Sequence, residues 1–349
     1  MEKKQLGILP DGRNAMLYTF SNDNGMEMTV SDLGAVLVSL SVPDKDGVKR
    51  DVVLGYDNLD AYLNNTNTYL GATVGRSANR IAGACFEING KEYQMTKNEG
   101  NNNLHSGPDG YQIRLWETQE LLAEKNGITF ILESPAMDQG FPGRLIMKTT
   151  YLLTKNNEVK IIYEGISDED TVFNPTNHSY FNLNGHTGGT VLEHVLKLNA
   201  QYYTPVSDST AIPTGEIAQV EGTPMNFRTG KTIGADIEAE FEQLLFTGGF
   251  DHNYVLDKKT EELGFAAEVK SNESGIWMKV YTDLPGIQFY AGNFIKNEKG
   301  KNKAVYEKRN GFCLETQYFP NSINTKEFAS PILKAGKEGR VETIYQFGC

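Results

Sequence analysis

Glu315 lies in an apolar, strand-like segment and is the residue of this chain that most strongly suggests chemistry. A carboxylate buried without a partner is costly, so such a residue usually serves a purpose. Side chains of a strand alternate between two faces, which places Cys313, Glu315 and Gln317 on one face and Phe312 and Leu314 on the other. A carboxylate beside an amide suits the binding of a polyhydroxylated ligand and the transfer of one of its protons. A salt-bridged glutamate at a strand edge is the alternative.

His178 is the second residue that indicates proton transfer. It follows Pro175, which favours extended backbone, so that His178, Tyr180 and Asn182 should share one face of a strand. A histidine among hydroxyl and amide neighbours can be oriented through one ring nitrogen and act through the other. A histidine that is only a hydrogen-bonded core residue is the alternative.

Further candidate residues stand beside glycine, aromatic or asparagine-rich stretches, and they are Asn79, Arg80, His105, Asp251 and Gln288. Arg76 and Arg80 would both be exposed if their segment were an ordinary surface loop. His105 follows a loop rich in asparagine. Two glycines before Asp251 would let the backbone approach a ligand, although a turn-capping aspartate gives the same pattern. The amide of Gln288 suits either a ligand hydroxyl or a neighbouring strand.

The composition excludes several classes of function. The chain has 349 residues, a net charge of −12 and a pI near 5.0, which argues against nucleic acid, anionic membranes and phosphorylated substrates as partners. Its three cysteines form no CxxC pair and its five histidines show no HExxH spacing, so we expect no metal and no disulfide framework. Walker, Rossmann and GxSxG patterns are missing from the sequence too, which leaves a phosphate-binding loop and a serine hydrolase without support. The first residues lack the apolar stretch of a signal peptide, which predicts a cytoplasmic protein.

Alternating apolar residues predict an all-β chain. The pattern recurs in five segments, at residues 36–42, 128–132, 145–153, 159–163 and 276–280. Asn89-Gly90 between two short apolar runs predicts a two-residue hairpin. Helices are expected only at residues 57–63 and 233–245. The chain 1–349 is therefore predicted to form a single domain, a large antiparallel β-sandwich with few short helices and long functional loops.

The polar segments together resemble one known family. They are Asn79-Arg80-Ile81, Asn103-Leu104-His105, Asn174 to Leu183, Gly249-Phe250-Asp251-His252, Gln288 to Asn293 and Leu314 to Gln317. In this order, and from about residue 7 to 347, they are similar to the aldose 1-epimerase (galactose mutarotase) family.

The resemblance implies a galactose mutarotase-like supersandwich that interconverts α and β anomers of free aldohexoses such as galactose and glucose, without a cofactor. Glu315 would take the proton of the C1 hydroxyl and His178 would donate a proton to the ring oxygen. The residues that would hold the sugar are Asn79, Arg80, His105, Asp251 and Gln288. The partner would be a small monosaccharide substrate, and the chain would be a monomer or a homodimer.

Three other functions fit parts of the pattern. A glycoside hydrolase would use two carboxylates about 5–10 Å apart, for which Glu315 and Asp251 are candidates. A hexose-6-phosphate 1-epimerase would need a basic cluster for the phosphate, which the acidic composition disfavours. A non-catalytic sugar-binding module would not need both His178 and Glu315.

The predicted chemistry carries an expectation about protonation. Glu315 should be ionised while His178 is protonated, which gives a bell-shaped pH profile with the acid limb due to the glutamate and the alkaline limb due to the histidine. Burial should raise the pKa of the carboxyl, while hydrogen bonding should keep the proton on the imidazole.

Overall fold

Antiparallel strands make up most of the computed structural model, which describes residues 1–121, 125–259 and 261–349. The strands, in chain order, are β1 (Glu2–Ile8), β2 (Asn14–Ser21), β3 (Glu27–Ser31), β4 (Val36–Pro43), β5 (Lys49–Asp51), β6 (Ala72–Val74), β7 (Arg80–Ile81), β8 (Cys85–Ile88), β9 (Lys91–Gln94), β10 (Asn103–Leu104), β11 (Glu117–Glu120), β12 (Gly127–Ser134), β13 (Leu145–Leu153), β14 (Glu158–Ser167), β15 (Thr171–Val172), β16 (Thr176–His178), β17 (Val195–Leu198), β18 (Tyr202–Tyr203), β19 (Ala218–Gln219), β20 (Lys231–Thr232), β21 (Asp251–Val255), β22 (Gly264–Lys270), β23 (Trp277–Thr282), β24 (Gly286–Tyr290), β25 (Glu298–Lys299), β26 (Val305–Tyr306), β27 (Cys313–Gln317), β28 (Ile332–Leu333) and β29 (Glu338–Gly348).

Helical structure is confined to short segments within these described residues. The α-helices are α1 (Leu59–Leu63) and α2 (Glu242–Thr247), and single 3₁₀ turns occur at Ala82–Ala84, Tyr111–Ile113, Asp138–Gly140, Lys301–Lys303 and Ser322–Asn324. Neither α-helix is long and apolar enough to cross a membrane.

The three largest sheets contain most of the strands, and the remaining strands form two-stranded sheets. The largest has nine strands in the order β11-β12-β13-β14-β29-β23-β22-β17-β20, and a five-stranded sheet has the order β19-β18-β21-β24-β27. The N-terminal strands β1 to β5 form the third sheet as a simple meander. Neighbouring strands in all three are antiparallel, so the predicted all-β antiparallel class is confirmed.

The sheet that ends in β27 packs face to face on the nine-stranded sheet. The hydroxyl of Tyr345 in β29 donates to the backbone carbonyl of Leu314 in β27, with 3.0 Å between the oxygens. One apolar cluster contains side chains from all three sheets, for example Leu40, Phe130 and Phe289. Because side chains alternate along a strand, the residues between those that face this core point away from it, and this leaves a second face of β21, β24 and β27 free to form a site.

Lys301 joins the N-terminal sheet to a late part of the chain. Its buried ammonium group donates to the backbone carbonyls of Val38 and Val53 at 2.9 and 2.8 Å, and it pairs with the carboxylate of Asp51 at 2.6 Å. A buried lysine is tolerated only when its donors are matched in this way. The contact therefore ties a 3₁₀ turn to a segment that lies 248 residues earlier in the sequence.

The predicted elements are largely confirmed. Asn89 and Gly90 have φ values of 54° and 78° and join β8 to β9, as the predicted hairpin requires. The helix predicted at residues 57–63 is α1, and the side chain of Asn58 caps its N-terminus. The helix predicted at residues 233–245 is wrong except for its end, which α2 covers. The backbone N–H groups of Ile233 and Gly234 donate to His194 and Leu192 instead of continuing a helix, because pairing with the neighbouring segment outweighs local propensity.

Candidate active site

Neighbouring strands place the predicted carboxylates and amide side by side. In the register of the five-stranded sheet, Gln288 of β24 lies opposite Glu315 of β27, and Asp251 of β21 lies opposite Tyr290 of β24. These residues share the face that points away from the core, whereas Leu314 is part of the apolar cluster. The alternation predicted for this segment is confirmed.

Two further structural units bring the histidines to the same face. His178 ends β16, whose partner strand is β6. His105 follows β10, which pairs with β7 so that Leu104 lies opposite Arg80. Asn79 and His105 both have positive φ, 58° and 51°, and the backbone N–H of Asn79 donates to Nδ1 of His105 over 3.1 Å. The loop before β7 and the loop after β10 are therefore fixed to each other by a histidine ring.

One cavity of about 190 Å³ collects all of the predicted site residues, and these are Asn79, Arg80, His105, His178, Asp251, Gln288 and Glu315. The volume is below the range of roughly 300–1,000 Å³ that is usual for drug-sized ligands, so the cavity suits a smaller molecule. The aromatic side chains of Tyr69, Tyr180, Tyr290 and Phe294 form much of the remaining wall. An aromatic wall beside convergent polar groups is a surface that fits the apolar face and the hydroxyl groups of a sugar ring.

Glu315 is a buried acid with a free oxygen. Its side chain is almost inaccessible, and Oε2 has no hydrogen-bond partner within the described residues. Burial raises the pKa of this carboxyl well above its ordinary value, and the nearby charge of Asp251 raises it further, whereas Arg80 acts in the opposite direction. Glu315 therefore keeps its proton at pH values at which a free glutamate is ionised.

His178 is a buried base beside that acid. Its Nε2 is 3.7 Å from Oε2 of Glu315, slightly beyond hydrogen-bond distance, and its Nδ1 is 3.6 Å from the thiol sulfur of Cys313. Burial lowers the pKa of the imidazole to about 4, although its hydrogen bond to its own backbone carbonyl offsets part of this shift. The rings of Tyr180 and Tyr69 lie 5.1 and 5.7 Å away.

These pKa directions correct one expectation and confirm another. The carboxyl of Glu315 is shifted upward, as predicted, but the imidazole of His178 does not keep its proton. Its neighbour at Nδ1 is a thiol rather than a carboxylate, so no full negative charge opposes the effect of burial there. The opposite pKa shifts place the proton that the two groups share on Glu315.

His105 is held in one tautomer. Since its Nδ1 accepts the N–H of Asn79, a neutral ring carries its proton on Nε2 and acts there as a hydrogen-bond donor. Burial lowers the pKa of this imidazole well below its ordinary value, and a positive charge on the neighbouring His178 or Arg80 lowers it further. Ligand atoms of His105, His178 and Glu315 lie within 4.8 Å of one another, a spacing that would suit a metal. A donor at Nε2 offers no lone pair to a metal ion, so this arrangement favours hydrogen bonding to a ligand hydroxyl over metal coordination.

Two ion-paired or hydrogen-bonded groups form the opposite wall. Arg80 makes a bidentate pair with Glu99, with Nε–Oε2 and Nη2–Oε1 distances of 2.7 and 2.6 Å. The amide nitrogen of Gln288 donates to Oδ1 of Asp251 over 2.7 Å, and the amide oxygen of Gln288 accepts a hydrogen bond from Gln317 over 3.3 Å. Each of these side chains is held by a neighbour before any ligand arrives, so the wall is preorganised.

Two residues of the predicted motifs lie elsewhere. Asn182 is buried, and its amide donates to the carbonyls of Gly189 and Asn310, outside the cavity. Arg76, which was expected in an exposed loop, is 1% exposed. Its guanidinium donates to Ser134, Pro135, Pro142 and Thr171, so it serves the structure rather than the site.

Glu99, Tyr69, Tyr290 and Phe294 also line the cavity but were not predicted from the sequence. Tyr290 could have been found, because it stands two residues after Gln288 on the same strand. Glu99 and Tyr69 lie outside the strands, where no periodicity indicates the direction of a side chain.

The fold and the cavity define a class of protein, an antiparallel β-sandwich with a small polar cavity that contains a buried carboxyl–imidazole pair. Residues 16–346 match the aldose 1-epimerase family, and the chain belongs to that family, whose reaction is an isomerisation.

Similar proteins cover almost the whole chain. Galactose mutarotases from Sus scrofa and Homo sapiens are 40% and 39% identical to it over 342 residues, which is 98% of this chain and 96% of each of theirs. The aldose 1-epimerase of Escherichia coli K12 is 36% identical, with 97% of both chains covered. Among solved structures, an aldose epimerase homologue from C. elegans has a TM-score of 0.87 and 32% identity, covering 96% of this chain and 99% of that one. The galactose 1-epimerase of Lactobacillus acidophilus has a TM-score of 0.86 and 26% identity, covering 99% and 98%.

Proposed function

We propose that this chain interconverts the α and β anomers of free aldohexoses such as galactose and glucose, with Glu315 as the base and His178 as the acid. The observation that carries the proposal is the free Oε2 of Glu315, 3.7 Å from Nε2 of His178 inside a small polar cavity. The names of the related proteins, galactose mutarotase and aldose 1-epimerase, support it.

The reaction needs only the transfer of protons. Glu315 takes the proton of the C1 hydroxyl while His178 gives a proton to the ring oxygen, the bond between C1 and the ring oxygen breaks, and an open-chain aldehyde forms. Rotation about the C1–C2 bond presents the other face of the aldehyde. Closure with both proton transfers reversed then yields the opposite anomer and restores the two groups.

Substrate binding prepares the pair for this step. Burial places the shared proton on Glu315, whereas the forward step needs it on His178. A sugar hydroxyl that donates to Oε2 stabilises the carboxylate, and a ring oxygen close to Nε2 accepts from the imidazolium. These two hydrogen bonds from the sugar therefore favour transfer of the proton from Glu315 to His178.

The remaining residues hold the sugar. Nε2 of His105 is a donor, Asp251 accepts, and Asn79, Arg80 and Gln288 present amide and guanidinium groups to the same cavity. Epimeric aldoses differ at one hydroxyl, so these contacts set the preference between galactose and glucose.

The alternative functions have weaker support. Asp251 accepts a hydrogen bond from Gln288 and lies near the charge of Arg80. These contacts suit a ligand-binding residue better than the second catalytic carboxylate of a glycoside hydrolase. Arg80 is already paired with Glu99, so it does not form the basic cluster that a phosphosugar epimerase would need. A binding module has no use for a proton-sharing pair.

Polarimetry of freshly dissolved α-glucose and α-galactose tests the proposal. We expect the approach to the anomeric equilibrium to be faster than the spontaneous rate, and a matched sample of Glu315→Gln should show almost no acceleration. Release of nitrophenol from a nitrophenyl galactoside, without any effect on free sugars, would show a hydrolase instead.

The cytoplasmic location and the assembly as a monomer or homodimer remain predictions. The composition and the three free cysteines, Cys85, Cys313 and Cys349, support a reducing compartment. Fractionation of cells and gel filtration of the purified chain test the two predictions.

A further inference from the structure

Glu99 neutralises the cavity's positive charge. Of the described residues that line the cavity, Arg80 is the sole lysine or arginine, and the acidic groups around it are Glu99, Asp251 and Glu315. Burial alone would lower the pKa of Arg80, but the carboxylates of Asp251, Glu99 and Glu315 raise it above its ordinary value. Even without Glu315, the lining therefore has two acidic side chains, Glu99 and Asp251, against the single basic side chain of Arg80.

The pairing between Arg80 and Glu99 uses the part of the guanidinium that would recognise an anion. Glu99 occupies Nε and Nη2 together. These two donors form the planar fork with which an arginine binds carboxylates and phosphates in bidentate fashion. An anionic substituent on a sugar would have to displace Glu99 from the fork and also approach Asp251.

The exposure of the two side chains indicates which of them an incoming solute meets first. The side chain of Glu99 is 34% exposed, whereas that of Arg80 is 12% exposed. Glu99 is thus the more accessible member of the pair, and a solute that enters meets its carboxylate together with the arginine.

We propose that Glu99 is a specificity-determining residue that restricts the site to uncharged aldoses and excludes uronic acids and sugar 6-phosphates. The inference rests on the proposed mutarotase function and adds the substrate class to it. Glu99 acts by keeping Arg80 occupied and by adding a negative charge to the cavity wall, because juxtaposed like charges oppose binding.

The test compares kcat/KM for α-glucose and α-galactose with kcat/KM for galacturonate and glucose 6-phosphate. The variants are Glu99→Gln and Glu99→Ala, and the matched control is Glu133→Gln. Glu133 makes the same bidentate contact with Arg144, but the pair is exposed and is not among the residues that line the cavity. The control therefore removes an equal charge and an equal ion pair elsewhere on the molecule.

We expect the wild-type chain to favour neutral sugars strongly. The ratio of anionic to neutral kcat/KM should rise by roughly tenfold or more in both Glu99 variants, as expected for loss of a like-charge contact, and should not change in Glu133→Gln. In the wild type, added salt should strengthen the weak inhibition by glucose 6-phosphate, since salt screens the repulsion.

Two results would overturn the proposal even if the variants folded poorly or lost activity. One is a wild-type chain that accepts glucose 6-phosphate as well as glucose. The other is inhibition by glucose 6-phosphate that weakens as salt is added. An unchanged ratio in folded Glu99 variants, with an active wild type, would contradict this inference alone. A wild type that accelerates no neutral aldose would contradict the proposed function itself.

Discussion

Glu315 and His178 form a coupled pair rather than two independent groups. Burial opposes the charge on each of them, so the neutral acid beside the neutral base is the resting state. That state and the reactive state, with carboxylate and imidazolium, contain the same number of protons. Their ratio therefore does not depend on pH, and the observed pKa values belong to the pair.

The first prediction concerns the carboxyl itself. Glu315→Gln should retain sugar binding but lose a factor of roughly 10²–10⁴ in the rate of mutarotation, because an amide cannot accept the proton of the C1 hydroxyl. Polarimetry gives the rate and calorimetry gives the affinity. His186→Asn is a suitable control, since His186 is a histidine that contacts Tyr306 outside the cavity. Near-normal rates in folded Glu315→Gln would remove the residue from the mechanism.

The second prediction concerns pH. In the wild type, the acid limb marks the uptake of a second proton by the pair, and the alkaline limb marks the loss of its only proton. His178→Asn leaves Glu315 to titrate alone, so the alkaline limb should vanish and the acid limb should move to higher pH, toward the raised pKa of the buried carboxyl. Profiles of residual kcat/KM measure both limbs. An alkaline limb that persists would identify another proton donor, for which His105 is the next candidate.

At the residue scale, the sequence predicted the direction of side chains but not their charge states. Alternation around Glu315 was sufficient to orient Cys313 and Gln317 correctly. The state of His178 could not be predicted, since it depends on burial by Tyr69 and Tyr180, and on a cysteine 135 residues away along the chain.

Among the elements, the loop before β7 depends on one buried arginine. The guanidinium of Arg76 fastens this loop to residues 134–142 through hydrogen bonds of 2.7 to 3.0 Å to serine and carbonyl oxygens. Since the same loop carries Asn79 and leads directly into Arg80 of β7, the position of this wall of the cavity depends on the contact.

The third prediction follows from this contact. Arg76→Ala should lower the free energy of unfolding by about 3–5 kcal/mol, because it leaves a cavity and several buried acceptors without donors. Arg144→Ala, which removes an exposed arginine paired with Glu133, should have a much smaller effect, because solvent screens an exposed ion pair. Urea unfolding monitored by circular dichroism measures both. Equal small effects would mean that the loop is held by other contacts.

Short sequence motifs were sufficient to predict those elements whose conformation depends on residues adjacent in sequence. The two positive-φ residues of the hairpin between β8 and β9 could be recognised as Asn89-Gly90. The segment preceding α2 could not be predicted, because the backbone of Ile233 and Gly234 pairs with residues about 40 positions earlier in the chain. Periodicity alone does not show such a long-range partner.

At the scale of the whole molecule, contacts between the sheets support the proposal that residues 1–349 form a single domain. The apolar cluster includes side chains from all three sheets, and Lys301 bridges β4 and a segment far away in the sequence. Such continuity favours one cooperative unfolding transition.

The fourth prediction is that unfolding has one midpoint wherever it is observed. Trp116 lies just before β11, and its backbone N–H donates to the carbonyl of Asp32, near the N-terminal sheet. Trp277 lies in β23. The fluorescence of Trp116→Phe and Trp277→Phe, each with one remaining tryptophan, should give urea midpoints that match the far-UV circular dichroism of the same variant. Separate midpoints would divide the chain into independently stable parts.

The unpaired oxygen of Glu315 has a consequence for evolution as well as for catalysis. A buried polar group without a partner costs about 1–3 kcal/mol of stability. Because the pKa of this carboxyl is higher in the folded chain than in the unfolded one, protonation of Glu315 stabilises the folded chain. This stabilisation is fully present below the unfolded pKa near 4.3 and is lost as pH rises through the folded pKa. The wild type should therefore lose stability relative to Glu315→Gln between mild acid and neutral pH. Selection for thermal robustness alone would discard this glutamate, and only selection for turnover retains it.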